Sequence, residues 1–172
     1  NTTNLTWDPN GANLKRIENA LHQKTDIAYD SLNNPISVID PLNYETKYFY
    51  EDSNFPTLPT KIEYPLSFDG GATYISTHYE YYQPNDPGGQ LAGKAKFVTD
   101  ALGNRTFYIY TSTGQIASII RSYGTANALT TTYSYDDYGN VIDMTNEAGV
   151  VSHNEYDLAG HLTKSVQNYV PA

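Results

Sequence analysis

The chain has 172 residues, of which 39% are hydrophobic and 17% are charged, and its formal net charge is −9. This length and apolar content predict one folded domain with a core, and they exclude an ordinary disordered chain. The acidic surplus repels phosphate backbones, so nucleic acid is not an expected partner. No apolar stretch approaches the roughly 20 residues that span a bilayer, so membrane insertion is not expected.

Cysteine is absent, which excludes disulfides, thiolate nucleophiles and cysteine-based zinc sites. The chain begins at Asn1 without Met and without a signal-peptide pattern, so we expect an excised fragment or a processed product. Tyrosine is abundant, with 17 residues, and favours strands in which its ring covers a neighbour.

A motif led by an aromatic residue recurs along the chain and continues with Asp or Thr, a turn residue and an aliphatic residue. The copies are 7–14 with Trp7, Asp8 and Gly11; 29–36 with Tyr29, Asp30 and Asn33; 110–116 with Tyr110 and Gly114; 135–142 with Tyr135, Asp136, Gly139 and Asn140; and 156–162 with Tyr156, Asp157 and Gly160. Asp followed three residues later by Gly or Asn is typical of a tight turn, because Gly and Asn tolerate positive φ.

A second turn lies inside each unit. Asp40, Asp100 and Asn146 each precede the next aromatic lead residue, which is Tyr50, Tyr110 or Tyr156, by ten positions. The residues between turns alternate in character, as in 105–110, which is the periodicity of a strand. Consecutive short strands joined by tight turns predict an antiparallel meander, with units that begin near 7, 29, 50, 110, 135 and 156 of a single repeat domain over 1–172.

Three segments depart from this rhythm. An irregular insertion covers about 55–95, in which Asp69-Gly70-Gly71 predicts a hairpin tip and 85–89 a further loop. The extra residues around 124–127 predict a longer hairpin tip. In 12–28, Leu14, Ile17 and Leu21 are spaced as in a helix, whereas the repeat register predicts two strands around 20–22. Both readings stay open from the sequence.

This pattern resembles the YD-repeat, or Rhs-repeat, family, in which an aromatic-Asp pair, two residues, Gly, a polar residue and an aliphatic residue recur about every 20 residues. The copies at 135–142 and 156–162 match closely, those at 29–36 and 110–116 carry one change each, and 7–14 matches loosely. The resemblance covers most of the chain apart from the irregular insertion.

The resemblance implies an all-β fold: a meander of short hairpins that forms a segment of a larger β-sheet shell. Bacterial Rhs proteins and the B–C part of insecticidal toxin complexes enclose toxin cargo in such a shell, and teneurin ectodomains use a related shell for adhesion. It therefore implies a non-catalytic structural segment, located extracellularly or at a bacterial cell surface, whose partners are neighbouring repeats. Unpaired edges of a fragment would also favour edge-to-edge self-association.

No enzyme chemistry is indicated. The four histidines are scattered, the turn Asp residues lack the spacing of a calcium loop, and neither a nucleophile elbow nor a phosphate-binding loop occurs. We therefore expect no catalytic residue, no metal and no cofactor.

Binding of a glycan or a protein surface is the alternative function. Aromatic rings on an exposed sheet face can stack on sugar rings. The first candidates are Trp7, Tyr79, Tyr81 and Tyr82, and the further candidates are Tyr108, Tyr123, Tyr133 and Tyr138. The competing interpretation is that these rings form the ladder that holds adjacent strands together.

Overall fold

The computed structural model describes residues 2–66, 70, 72–87 and 89–170. Over these residues the chain forms fourteen β-strands and one turn of 3₁₀ helix, Gly89–Leu91. No helix in this part of the chain is long and apolar enough to cross a membrane. The chain divides into two compact units, Asn1–Tyr79 and Glu80–Ala172.

The first unit is an antiparallel meander in which each strand pairs with the next along the chain. Its strands are β1 (Asn4–Trp7), β2 (Leu14–Glu18), β3 (Lys24–Tyr29), β4 (Pro35–Ile39), β5 (Glu45–Phe49), β6 (Lys61–Pro65) and β7 (Tyr74–Tyr81). The last two residues of β7 belong to the second unit.

The second unit repeats this architecture. Its strands are β8 (Ala95–Thr99), β9 (Arg105–Tyr110), β10 (Ile116–Arg121), β11 (Leu129–Tyr135), β12 (Val141–Thr145), β13 (Val151–Tyr156) and β14 (Leu162–Gln167). The predicted all-β meander is therefore confirmed.

Residues 12–28 form the strands β2 and β3 and no helix. Their turn holds His22 at a φ of 60°, which a right-handed helix does not contain. Ile17 pairs with Leu5 on one side and Thr25 on the other, so its contacts come from neighbouring strands. Pairing with neighbours has overridden the local helix preference.

The irregular insertion is partly described. β6 and β7 pair antiparallel, with Tyr64 opposite Ile75, as a hairpin over this segment requires. Of its predicted tip, Asp69 and Gly71 lie outside the described residues, and Gly70 has a φ of 70°. In the predicted loop 85–89, Gly88 also lies outside them.

Neither unit has a second layer over its sheet. Among the described residues, the only buried apolar side chains are Tyr82 and Leu91, and no large side chain is fully buried. Stability must therefore come from contacts along the sheet: cross-strand pairs, turns and aromatic contacts.

The two faces of the first unit differ in chemistry. Strand alternation places two ion pairs on one face. Arg16 pairs with Asp26 across β2 and β3, and Lys61 pairs with Glu63 along β6. The opposite face carries three apolar cross-strand pairs, which are Leu5 with Ile17, Ile27 with Val38, and Tyr48 with Ile62.

Candidate functional site

The repeat turns share one hydrogen-bond pattern, which the turn at 136–140 illustrates. The backbone N–H of Asp136 donates to the carbonyl of Asn140 over 3.0 Å, and the N–H of Gly139 donates back to the carbonyl of Asp136 over 3.1 Å. The Asp136 carboxylate oxygen Oδ1 accepts the N–H groups of Tyr138 and Asn140 at 3.0 and 2.8 Å. Gly139 has a φ of 91°, where a side chain would be strained.

The same arrangement recurs along both units. It begins at Asn19, Asp30, Asp40, Asp100, Asn146 and Asp157, and a version with one extra residue begins at Asp8. The fourth position is Gly in most of these turns and Asn33, Asn43 or His22 in others, all at positive φ. Each turn therefore satisfies several of its own backbone groups internally.

These hydrogen bonds stabilise the charged form of the turn carboxyl groups. The side-chain amide of Asn140, followed by backbone N–H groups, holds the pKa of Asp136 below its usual 3.8, against the opposing effect of partial desolvation. The side-chain amide of Asn104 lowers the pKa of Asp100 in the same way. For Asp157 the backbone N–H of His161 is the main cause of the lowered pKa.

A β-bulge lies opposite the lead aromatic residue in these hairpins. Tyr135 pairs with Val141, whereas its neighbour Ser134 pairs with Asp143, so Ile142 is the extra residue. The same shift occurs beside Trp7, Tyr29 and Tyr156, and an irregularity follows Ile116 opposite Tyr110.

The hydroxyl groups of four lead tyrosines join neighbouring repeats. Each donates to the carbonyl of the first strand residue after the preceding repeat's turn, at 2.7 to 3.0 Å: Tyr29 to Leu14, Tyr50 to Pro35, Tyr135 to Ile116 and Tyr156 to Val141. The backbone ladders between these repeats stop short of those carbonyls, as β2 and β3 stop at Arg16 and Asp26. The tyrosine hydroxyl therefore continues the contact where backbone pairing ends.

Tyr110 departs from this pattern. Its ring packs edge-on against Tyr82 at 5.9 Å, and the hydroxyl of Tyr82 donates to the carbonyl of Tyr108 over 2.9 Å. Burial raises the pKa of both tyrosines above 10.0. In this part of the second unit a tyrosine from outside the recognised copies supplies the hydroxyl contact.

The four first-choice aromatic candidates for ligand binding lie in different environments. Trp7 ends β1 and is 50% exposed, Tyr79 and Tyr81 are half-buried in β7, and Tyr82 is only 8% exposed. Trp7 belongs to the first unit, and Tyr82 belongs to the second. Tyr138 is more open than any of these, at 79% exposed.

Sequence reasoning missed the tyrosine hydroxyl bonds. A usable signal was present: Tyr29, Tyr50 and Tyr156 each lie 15 residues after their acceptor, which is a constant position in the preceding repeat. For Tyr135 the interval is 19 residues, because the longer tip at 122–128 intervenes.

Three of the four histidines lie beside a single carboxylate, and His78 lies beside the hydroxyl of Ser76. The ring nitrogen Nδ1 of His22, His153 and His161 is 2.7, 2.7 and 3.0 Å from Glu18, Asp143 and Asp157 respectively. In the described ranges, no three His, Asp or Glu residues are placed to hold a metal ion together.

No protein-family model and no curated protein sequence matches this chain. Among solved structures, the crystal structure of TcdB2-TccC3-Cdc42 aligns with 95% of this chain at a TM-score of 0.76 and 17% identity. TcdB2-TccC3 without its hypervariable C-terminal region aligns with 94% at a TM-score of 0.74 and 17% identity. The Photorhabdus luminescens Tc holotoxin pore aligns with 89% at a TM-score of 0.70 and 17% identity.

The chain spans only 8 to 9% of the length of these matched chains. Toxin-complex proteins are among those that the sequence resemblance pointed to, and the matched architecture is the same antiparallel meander of short hairpins. The chain therefore shares its fold with the TcdB2-TccC3 structures, and its resemblance to YD/Rhs-repeat proteins is confirmed at the level of the fold.

Proposed function

We propose that this chain is a non-catalytic structural segment of a YD/Rhs-repeat β shell in a large secreted or surface bacterial protein, where the shell encloses cargo or serves as an adhesion scaffold. One observation carries the proposal: four lead tyrosine hydroxyls bond to the preceding repeat, and self-contained turns connect the strands between them. That arrangement extends a sheet from one repeat to the next, as the wall of a shell requires.

The partners in this proposal are neighbouring repeats of the parent protein. Among the described strands, β1 pairs only with β2 and β14 only with β13, so each leaves one edge for a further strand. Such edges are templates for pairing, either with the next repeat or with a second copy. The alignment of nearly the whole chain with a small part of a toxin-complex chain supports the first of these.

Electron microscopy of the parent protein tests the proposal. We expect a closed, hollow particle whose wall contains this segment, with strands of adjacent repeats paired to β1 and β14. A parent in which this segment is an isolated domain on flexible linkers, with both edges open, would contradict the proposal.

Trp7 favours a second candidate, the binding of a carbohydrate or protein surface. Its indole is half exposed, as a stacking platform requires. Saturable quenching of Trp7 fluorescence by a glycan, together with loss of that glycan's binding by calorimetry in Trp7→Ala, would support this function. Failure of every glycan on an array to bind would remove it and leave the scaffold proposal unaffected.

A further inference from the structure

A groove lies between two consecutive lead turns of the second unit, 111–115 and 136–140. Its walls are formed by Thr113 and Gln115 from the first turn, Asp137 and Tyr138 from the second, and Tyr133 and Tyr135 from β11. The backbones of the two turns are separated by two strand spacings, about 9–10 Å.

The first of these turns departs from the repeat pattern in a way that builds the groove. Thr111 replaces the usual Asp, and its single hydroxyl accepts the N–H of Gln115 at 3.1 Å but offers no second carboxylate oxygen. In the Asp136 turn, that second oxygen binds the side chain of Asn140 at 2.9 Å. The Gln115 side chain instead reaches across the groove and donates to the carbonyl of Gly139 at 3.1 Å.

A chain of hydrogen bonds therefore fixes one side of the groove. The hydroxyls of Thr111 and Thr113 are 2.7 Å apart, and Thr113 donates to Oε1 of Gln115 over 3.0 Å. On the opposite side, the Tyr135 ring is held by its hydroxyl bond to Ile116. The groove is consequently preorganised, which lowers the entropy that a ligand must lose on binding.

Three exposed residues of the groove are available to a ligand: Tyr138, Asp137 and Thr113. The Tyr138 ring is 79% exposed. The Asp137 carboxylate is exposed and has no hydrogen bond or ion pair with any residue that the structure describes. An open aromatic ring beside an unpaired carboxylate and a fixed hydroxyl is the combination that binds a polyol: the ring covers the C–H face, and Asp137 and Thr113 bind hydroxyl groups.

We propose that this groove binds a neutral carbohydrate. Asp136 and Asp137 place negative charge at the groove and disfavour anionic ligands, including phosphates and uronic acids. The many hydroxyl and amide groups disfavour an apolar peptide, which would leave them unpaired. The site is separate from Trp7 and does not depend on the scaffold role.

Saturation-transfer NMR on the full chain tests the site with glucose, galactose, mannose, N-acetylglucosamine and their disaccharides, and with sialic and glucuronic acids as anionic probes. We expect at least one neutral sugar to bind. Tyr138→Ala and Asp137→Asn should each weaken that binding by about tenfold, which corresponds to about 1.4 kcal/mol. Tyr138→Trp should preserve it, because the ring platform is retained.

Leu102→Ala is the matched control. Leu102 is the third residue of another turn in the same unit, as Tyr138 is of its own, and it is 88% exposed. Leu102→Ala should leave binding unchanged. The inference is overturned if no neutral sugar binds at up to about 50 mM. That concentration detects binding even when the dissociation constant is well above about 1 mM. Binding that survives Tyr138→Ala, or a preference for the anionic sugars, would also overturn it.

Discussion

Asp136 shows how a single carboxylate organises a five-residue turn. Its oxygens accept two backbone N–H groups and one side-chain amide, so the turn depends on acceptors at fixed positions more than on packing. Asn19 and Asn146 make the backbone part of this pattern with a neutral amide oxygen. The turn therefore requires a side-chain acceptor at its first residue. Where that residue is Asp, its negative charge also makes the stability of the turn depend on pH.

Asp136→Asn should reduce the sensitivity of the protein to acid. The folded pKa of Asp136 is lowered, so its contribution is complete above the unfolded value of about 3.9 and is lost as the pH falls through the folded pKa. The Asn variant keeps an acceptor that does not titrate. We expect a smaller fall in the urea midpoint between pH 7 and pH 3 for the variant than for the parent chain.

Asp137→Asn is the control for this measurement. Its carboxylate is exposed and takes no part in the turn, so its removal should leave the parent's acid sensitivity unchanged. Equal falls in the midpoint for both variants and the parent would show that the turn carboxylate is not a source of the pH dependence.

At the scale of the elements, the contact between adjacent repeats combines a short backbone ladder with one tyrosine hydroxyl. Between β10 and β11 the ladder runs from Arg121 and Leu129 to Ser118 and Thr132, and the bond from Tyr135 to Ile116 lies beyond it. Without that hydroxyl, the carbonyl of Ile116 would lose its hydrogen bond from Tyr135. Such a loss destabilises a protein whenever water cannot replace the partner fully.

Tyr135→Phe should lower the free energy of unfolding by about 0.5–1.5 kcal/mol, because it removes this hydrogen bond and keeps the ring. Chemical denaturation followed by circular dichroism measures the change. The matched control is Tyr138→Phe, whose ring is 79% exposed, and its effect should stay within about 0.5 kcal/mol. If the two variants were equally stable, the hydroxyl bond would not join the repeats in the way we describe.

The regular elements were predictable from the sequence because their information is local. Asp30 and Asn33 are three residues apart, and such spacing alone encodes a turn and hence the strands on either side. The choice between helix and strands in 12–28 was not local, because Ile17 is fixed by partners in β1 and β3.

The groove and the contacts of the buried Tyr82 could not be predicted, because they too depend on residues that are distant in the sequence. The hydroxyl of Tyr82 donates to the carbonyl of Tyr108, which lies 26 residues later in a strand of another repeat. No constant spacing in the sequence predicts that contact. The Gln115 side chain bonds to Gly139 because Thr111 has no second side-chain oxygen to bind it within its own turn. The sequence shows the Thr but not this contact. Departures from a repeat are visible in the sequence, but their consequences are set by neighbouring strands.

At the scale of the whole molecule, each repeat is bonded mainly to the repeats beside it. Stability in such proteins is approximately a sum of the stabilities of single repeats and of contacts between neighbours. The chain contains one tryptophan, Trp7, which lies in the first unit. Its fluorescence therefore reports on the first unit, whereas circular dichroism reports on both.

Tyr135→Phe should move these two signals differently, since Tyr135 belongs to the second unit. We expect the denaturant midpoint by circular dichroism to fall, while the midpoint by Trp7 fluorescence stays at its parent value. Parallel measurements on one sample make the comparison, and an equal shift in both signals would indicate a single cooperative transition across the chain.

The self-contained turns explain how so distant a sequence can keep this fold. Only the first and fourth positions of a turn have a fixed chemical task, so the two apex positions between them can drift freely. They hold residues as unlike as Ala148, Leu102 and Tyr138 in otherwise matching turns. The TcdB2-TccC3-Cdc42 structure shares this fold with the chain at only 17% identity. The acceptor, the positive-φ residue and the aromatic lead at constant spacing are therefore a better sequence guide to this fold than overall identity.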